Sequence, residues 1–241
     1  MATSKYFNVE FYPTLTGGQI HAGNITDGEL LLDWQKVTMP KGAARLVGVT
    51  AFIKGNAGTL VRGAFELLFA DDNTNSIDGV NDGAAVASSV RYFRDTKGYV
   101  SMDIDENSSK ITGFSVLHAG SADEGFAPFV IQPKMESPFD GNGYFYVGAI
   151  KAATNFNFAT GITLDGAVSE DDTVITVSGN ATTRLTVGDD LVTQNDAVIG
   201  KLKAINSATE IVVESGVPAA IVTGKKVLSQ QPMKFIFHFE R

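Results

Sequence analysis

The side chains able to do chemistry fall into a few groups. Asp71-x-Asn73-x-Asn75, with Asp82 eleven residues after Asp71, spaces oxygen ligands much as a calcium loop does. An EF-hand loop needs glycine at its sixth position and a bidentate glutamate at its twelfth. This chain offers Ser76 and Asp82 there, with no helical pattern on either side, so the segment reads as a solvated Asx-rich turn. Asp103, Asp105, Glu106 and Asn107 form a second acidic group after a strand-like run. Paired carboxylates do acid–base work only at a fixed separation, and charges at a strand end normally face solvent. His21, His118 and His238 lie far apart, and no two have metal-ligand spacing. His238 alternates with Phe237 and Phe239, which assigns it to the polar face of a strand. Trp34 and the cluster Tyr144, Phe145 and Tyr146 could line a sugar-binding platform, but core packing of a β-sandwich is the reading their size favours. There is no Gly-x-Ser-x-Gly elbow, and Thr16-Gly17-Gly18 lacks the Lys-Ser/Thr of a phosphate loop. The chain is therefore read as non-enzymatic, with no catalytic residue, no cofactor and no metal site.

The elements that carry these residues are strands. Phe7–Tyr12 alternates and stops at Pro13; Leu30–Trp34 is a second strand, ended near Met39-Pro40. Arg45–Ile53 is the clearest strand, with Val47, Val49, Ala51 and Ile53 on one face and Leu46, Gly48, Thr50 and Phe52 on the other. Val61–Phe69 is a fourth, followed by a polar loop over 71–87. Val90–Phe93 and Tyr99–Ile104 read as a pair joined by a turn at Asp95–Gly98; Ile111–Leu117 and Phe126–Ile131 follow. Tyr144–Ile150 runs on towards Phe156 and Phe158, and Lys234–Glu240 closes the chain. Only 82–90 hints at a short helix. About nine or ten strands with Gly-rich turns predict an all-β fold, a β-sandwich or jelly roll, which sequence period cannot separate.

Thr173–Val227 differs in character. Val174–Val177, Leu191–Val192, Val198–Leu202, Ile205, Ile211–Val213 and Ile221–Val222 are short aliphatic runs broken by Ser178-Gly179-Asn180, Gly188-Asp189-Asp190, Asn195-Asp196 and Asn206-Ser207. The phenylalanine-rich segments Asn155–Phe158 and Lys234–Phe239 flank it and are expected to share a sheet. The division predicted is a sandwich main domain of 1–159 plus 230–241 and a small β-barrel inserted at 160–229. An insertion of about 70 residues is near the lower limit for an independent core, so it should lean on the main domain or on a partner.

Composition narrows the function classes. Cysteine is absent, which excludes disulfides, thiolate nucleophiles and cysteine metal sites. The net charge is −8, and residues 160–229 hold half of it, with nine acids against five bases. No basic block exists, so nucleic acid is not an expected partner. The start shows no apolar signal segment and no run is long enough for a membrane helix, so no membrane partner is expected.

One stretch carries a resemblance. Val177-Ser178-Gly179-Asn180-Ala181-Thr182-Thr183-Arg184-Leu185-Thr186-Val187-Gly188-Asp189-Asp190-Leu191, followed by Ile199–Val213, resembles a small β module of tailed-bacteriophage virion structural proteins. The resemblance covers roughly a quarter of the chain, and modules of this kind bring no catalytic residues with them. It implies a capsid-decorating or head-fibre-like protein that sits on the virion surface and is assembled in the host cytoplasm. It also implies the major capsid protein or other virion proteins as partners, and a homotrimer as the oligomer. The alternative implied is a tail-fibre or baseplate-associated adhesin that binds carbohydrate. Because Arg45–Ile53 has two apolar faces and a sandwich core covers only one, the other should meet a neighbour. The interface residue expected is Leu46 or Phe52, whichever the core leaves free.

Overall fold

The computed structural model describes residues 5–17, 20, 30–54, 63–73, 77, 96–102, 114–121, 126–137, 139, 141–153 and 158–241. The chain is nearly all β. In order the strands are β1 Tyr6–Phe11, β2 Leu30–Pro40, β3 Ala44–Lys54, β4 Ala64–Ala70, β5 Thr96–Met102, β6 Phe114–Gly120, β7 Phe129–Ile131 and β8 Asn142–Ala153. Then come β9 Ile162–Leu164, β10 Val174–Ser178, β11 Asp190–Thr193, β12 Val198–Ser207, β13 Glu210–Val213, β14 Lys226–Ser229 and β15 Met233–Glu240. One helical turn, α1 Ala181–Arg184, follows β10.

The strands form two antiparallel sheets and a closed barrel. The first sheet has the order β1-β15-β3-β6, with β7 also paired to β3; the second has the order β2-β8-β4-β5. Alternation along β15 sends Phe235, Phe237 and Phe239 inward and Lys234, Ile236, His238 and Glu240 outward. The inner faces of the two sheets share one core. Phe237 of the first sheet meets Phe69 and Phe145 of the second edge-on, at 5.5 and 5.8 Å between ring centroids. Phe65 meets Phe235 at 5.9 Å in the same way. Rings of this size fill the gap of about 10 Å between packed sheets. The outer face of the second sheet is covered in part by a smaller cluster of Leu30, Trp34, Leu68, Ala70 and Ile77.

The barrel closes in the order β10-β13-β12-β11-β14-β9 and occupies Ile162–Ser229, between β8 and β15. Its interior holds Ile162, Val177, Ile199, Leu202, Ile211 and Val227, all below 1% exposed, among other aliphatic side chains. Val192 and Leu228, from two of its strands, pack instead into the main core.

β2 ends at Pro40, as expected; a proline in the last strand position withholds no needed donor. Several sequence expectations are corrected. Thr96, Lys97 and Gly98 lie in β5, not in a turn, and Gly98 is a position where a Cβ would come within 2.6 Å of the Phe129 ring. The strand before the barrel, β8, belongs to the second sheet while β15 belongs to the first, and Phe158 is buried outside any strand. Residues 155–157 of the flanking segment expected to share a sheet with β15 lie outside the described residues. Ile205 is part of a continuous β12, which passes two register shifts. The three- and four-residue strands β9 and β14 escaped the sequence reading because each is too short to show a period. The expected strand Val90–Phe93 and the short helix at 82–90 also fall outside the described residues.

Leu46 is corrected as well. The register between β3 and β15 shifts so that Gly48 faces His238 and Leu46 faces Phe239, leaving Val47 as the extra residue of a bulge. The bulge reverses the alternation, and Leu46 enters the core with 0% exposure beside Val49, Ala51 and Ile53. Of the two expected interface residues only Phe52 lies on the outer face.

Candidate functional site

Phe52 lines a groove of about 550 Å³ between the outer face of the first sheet and the barrel. Four strands and one turn build it. Tyr12 follows β1, Phe52 and Lys54 end β3, Phe114 begins β6, and Lys234 begins β15. The barrel contributes Thr186–Asp189, where Gly188 takes a φ of +94° and donates its N–H to the Leu202 carbonyl at 2.7 Å. Phe52 and Phe114 lie 6.1 Å apart between centroids. Lys234 Nζ sits 5.4 Å from the Tyr12 ring centroid and 5.9 Å from that of Phe52. The floor is thus aromatic and cationic at once.

Two ion pairs hold the groove. Lys54 Nζ donates to Asp189 Oδ1, tying the main domain to the barrel, while the N–H of Thr186 donates to Asp189 Oδ2 at 3.0 Å. Lys234 Nζ reaches Glu10 Oε2 at 2.8 Å. The hydrogen bond to Glu10 raises the Lys234 pKa, and the same bond lowers that of Glu10. Both groups stay charged near neutrality, and the carboxylate is committed to a partner. The groove therefore offers apolar surface rimmed by fixed charge, which suits recognition.

A polar ladder crosses the same face. Asn8 Oδ1 contacts His238 Nδ1 at 2.9 Å, His238 Nε2 contacts Thr50 Oγ1 at 2.9 Å, and Thr50 Oγ1 contacts His118 Nδ1 at 3.1 Å. Gly48 lies beneath the ladder, where a Cβ would come 3.3 Å from the Ala119 carbonyl oxygen and 3.4 Å from the His238 ring. Burial, and then the charge of His118, lower the His238 pKa from its ordinary value. Sequence distance hid this pair; sheet pairing places the two rings 6.0 Å apart.

The other sequence candidates separate. Asp71, the first residue of the calcium-like spacing, pairs with Lys97 at 3.4 Å, and its neighbour Asp72 pairs with Lys134 at 2.6 Å. Asn75, Ser76, Asp82, His21 and the group Asp103–Asn107 lie outside the described residues. Among the described residues no three His, Asp or Glu side chains gather as a metal site would require. Trp34 is buried in the outer cluster of the second sheet and Phe145 in the main core, while Tyr144 and Tyr146 meet edge-on at 5.7 Å. Trp34 and Phe145 serve packing, Tyr144 and Tyr146 are half-buried, and the groove is a further aromatic surface. Sequence reading missed Tyr12, Phe114, Lys54, Lys234 and Val187, because nothing local marks residues joined only by strand pairing and a turn of a second domain. Comparison with protein-family models and with curated proteins gives no match.

Proposed function

We propose that the protein is a non-enzymatic structural component of a tailed-bacteriophage virion, which decorates or cements the capsid surface. The strand order of the main domain carries this reading. Taken in chain order and leaving aside β7, its eight strands fill one sheet as first, eighth, third and sixth, and the other as second, seventh, fourth and fifth. We read this order as two interlocked Greek keys, a jelly roll, an architecture used by viral capsid and lectin domains. The inference from fold to role is by analogy, and the resemblance of 177–213 to a phage β module supports it. On this reading the major capsid protein is the partner, the protein works as a homotrimer, and the acidic barrel faces solvent. The trimer rests on the resemblance alone.

The test is sedimentation of purified protein with capsids of the phage that encodes it. Saturable co-sedimentation at a copy number matching the capsid lattice is expected, and no binding would refute the proposal. The second reading, a tail-fibre or baseplate-associated carbohydrate-binding protein, draws on the same strand order and on the aromatic groove. A glycan array separates the two, since a cementing protein should bind capsids and no sugar.

A further inference from the structure

We propose that Asn8, His238, Thr50 and His118 work as a single-proton latch on the outer face of the first sheet: the ladder holds one proton with every hydrogen bond kept, and a second proton opens it. The proposal goes beyond the virion role and does not depend on it. One side chain comes from each of β1, β15, β3 and β6, in the order in which the strands lie. His238 is opposite Asn8 on one side and Gly48 on the other, and Gly48 is opposite Gly120. With no side chain at position 48, the His238 ring leans over β3 and its Nε2 reaches Thr50. Thr50 is opposite His118 on β6. Two imidazoles thus meet one hydroxyl, at 2.9 and 3.1 Å.

Counting hydrogens fixes the direction of the ladder. Asn8 presents its carbonyl oxygen to His238 Nδ1, so that nitrogen carries the hydrogen. In the neutral ring Nε2 is then the acceptor, and the Thr50 hydroxyl donates to it. Thr50 has only one hydrogen to give, so its oxygen accepts from His118 Nδ1–H. A first proton adds to His118 Nε2 and breaks none of these bonds. It can also pass across: His118 Nδ1 gives its hydrogen to Thr50 Oγ1 while Oγ1 gives its own to His238 Nε2. The positive charge then sits on His238, His118 is neutral with hydrogen on Nε2, and Thr50 donates to His118 Nδ1 instead. A second proton has no such place. Both rings would point N–H at Thr50, whose hydrogen would lose its acceptor, and two cationic rings would stand 6.0 Å apart. Burial, and then His118, already disfavour charge on His238. The charged groups facing the ladder from the same strands are taken up elsewhere: Glu10 by Lys234, Glu240 by Lys5 and Arg45, and Lys54 by Asp189 of the barrel. None of these carboxylates is left to compensate a second charge. His238 is half-buried and held at both nitrogens, whereas His118 is exposed on the strand that ends the sheet, so His118 is the ring that swings free.

NMR of the histidine ring nitrogens in the full chain, between about pH 8 and about pH 5, tests the latch. His118→Asn and His238→Asn assign the signals. At the alkaline end both rings should carry their hydrogen on Nδ1, whereas an imidazole free in water prefers Nε2. On acidification the first proton should move the signals of both rings together, and the second should bind about tenfold more weakly or worse. Thr50→Val keeps the shape of the side chain and removes the hydroxyl. Each ring should then take its proton independently, and the Nδ1 hydrogen of His118 should no longer be favoured. Thr50→Ser keeps the hydroxyl and should preserve the shared proton. Circular dichroism matching the unmodified chain shows that each variant is folded; should Thr50→Val fail to fold, the unmodified chain and Thr50→Ser decide. Hydrogen on Nε2 of His238 at the alkaline end overturns the direction of the ladder and the latch with it. Two independent titrations in the unmodified chain overturn it as well, as does a folded Thr50→Val that titrates like the unmodified chain.

Discussion

The two cores of this molecule are built from different side chains. The main core stacks phenylalanines: Phe11, Phe65, Phe69, Phe145, Phe235, Phe237 and Phe239 are all 9% exposed or less. Among the described residues no aromatic ring enters the barrel core, which is leucine, isoleucine, valine and alanine throughout. Geometry accounts for the difference. Two sheets face to face leave a slab about 10 Å deep that large flat rings bridge well. A six-stranded barrel encloses a narrower space, which branched aliphatic side chains fill without strain. The main core also reaches into the barrel's wall through Val192 and Leu228, and the Lys54–Asp189 pair closes the seam. The domains differ in packing but share a boundary.

Substitutions can test how separate the two cores are. Phe237→Ala should have the largest effect, about 3–5 kcal/mol, because it opens a cavity where four strands' rings meet. Calorimetry should show the main-domain transition falling; an unchanged transition would mean that the rings are not the core. Leu228→Ala should cost about 2–4 kcal/mol. It lies in a barrel strand, yet its loss should lower the main-domain transition. A shift confined to the barrel would place the domain boundary elsewhere.

Val213→Phe reverses the chemistry by putting a ring into the barrel. It should destabilise that unit by about 1–3 kcal/mol through overpacking, read as a lower urea midpoint of the barrel alone. A neutral result would mean that the barrel has room for rings, and the geometric account above would fail. The smallest effect concerns His238. Its pKa is lowered in the fold from 6.5 by burial and by His118. The unfolded chain then binds the proton more readily, so this contribution is intact above about pH 6.5 and is lost as pH falls from there towards the folded value. Melting temperature should decline slightly between about pH 7 and pH 5.5, and less so in His238→Asn. Equal declines in both proteins would assign the dependence to other groups.

Alternation alone determined a good deal. The period-two run from Lys234 to Phe239 declared both its faces, and β15 keeps every one of those assignments. The aliphatic runs and Gly/Asn/Asp turns of 173–213 marked a second β unit, because turn chemistry is local. The tertiary structure decided what depends on partners distant in sequence. The bulge at Val47 sends Leu46 inward and leaves Phe52 out, and it exists only as a mismatch between β3 and β15, some 190 residues apart. β9 and β14 are strands because the barrel needs them to close. The groove joins Tyr12, Phe52, Phe114, Val187 and Lys234 through sheet order and a seam between two cores. Local sequence pattern sets which face a side chain takes on its own strand; which strand lies beside it, and in what register, is set by packing across the whole chain.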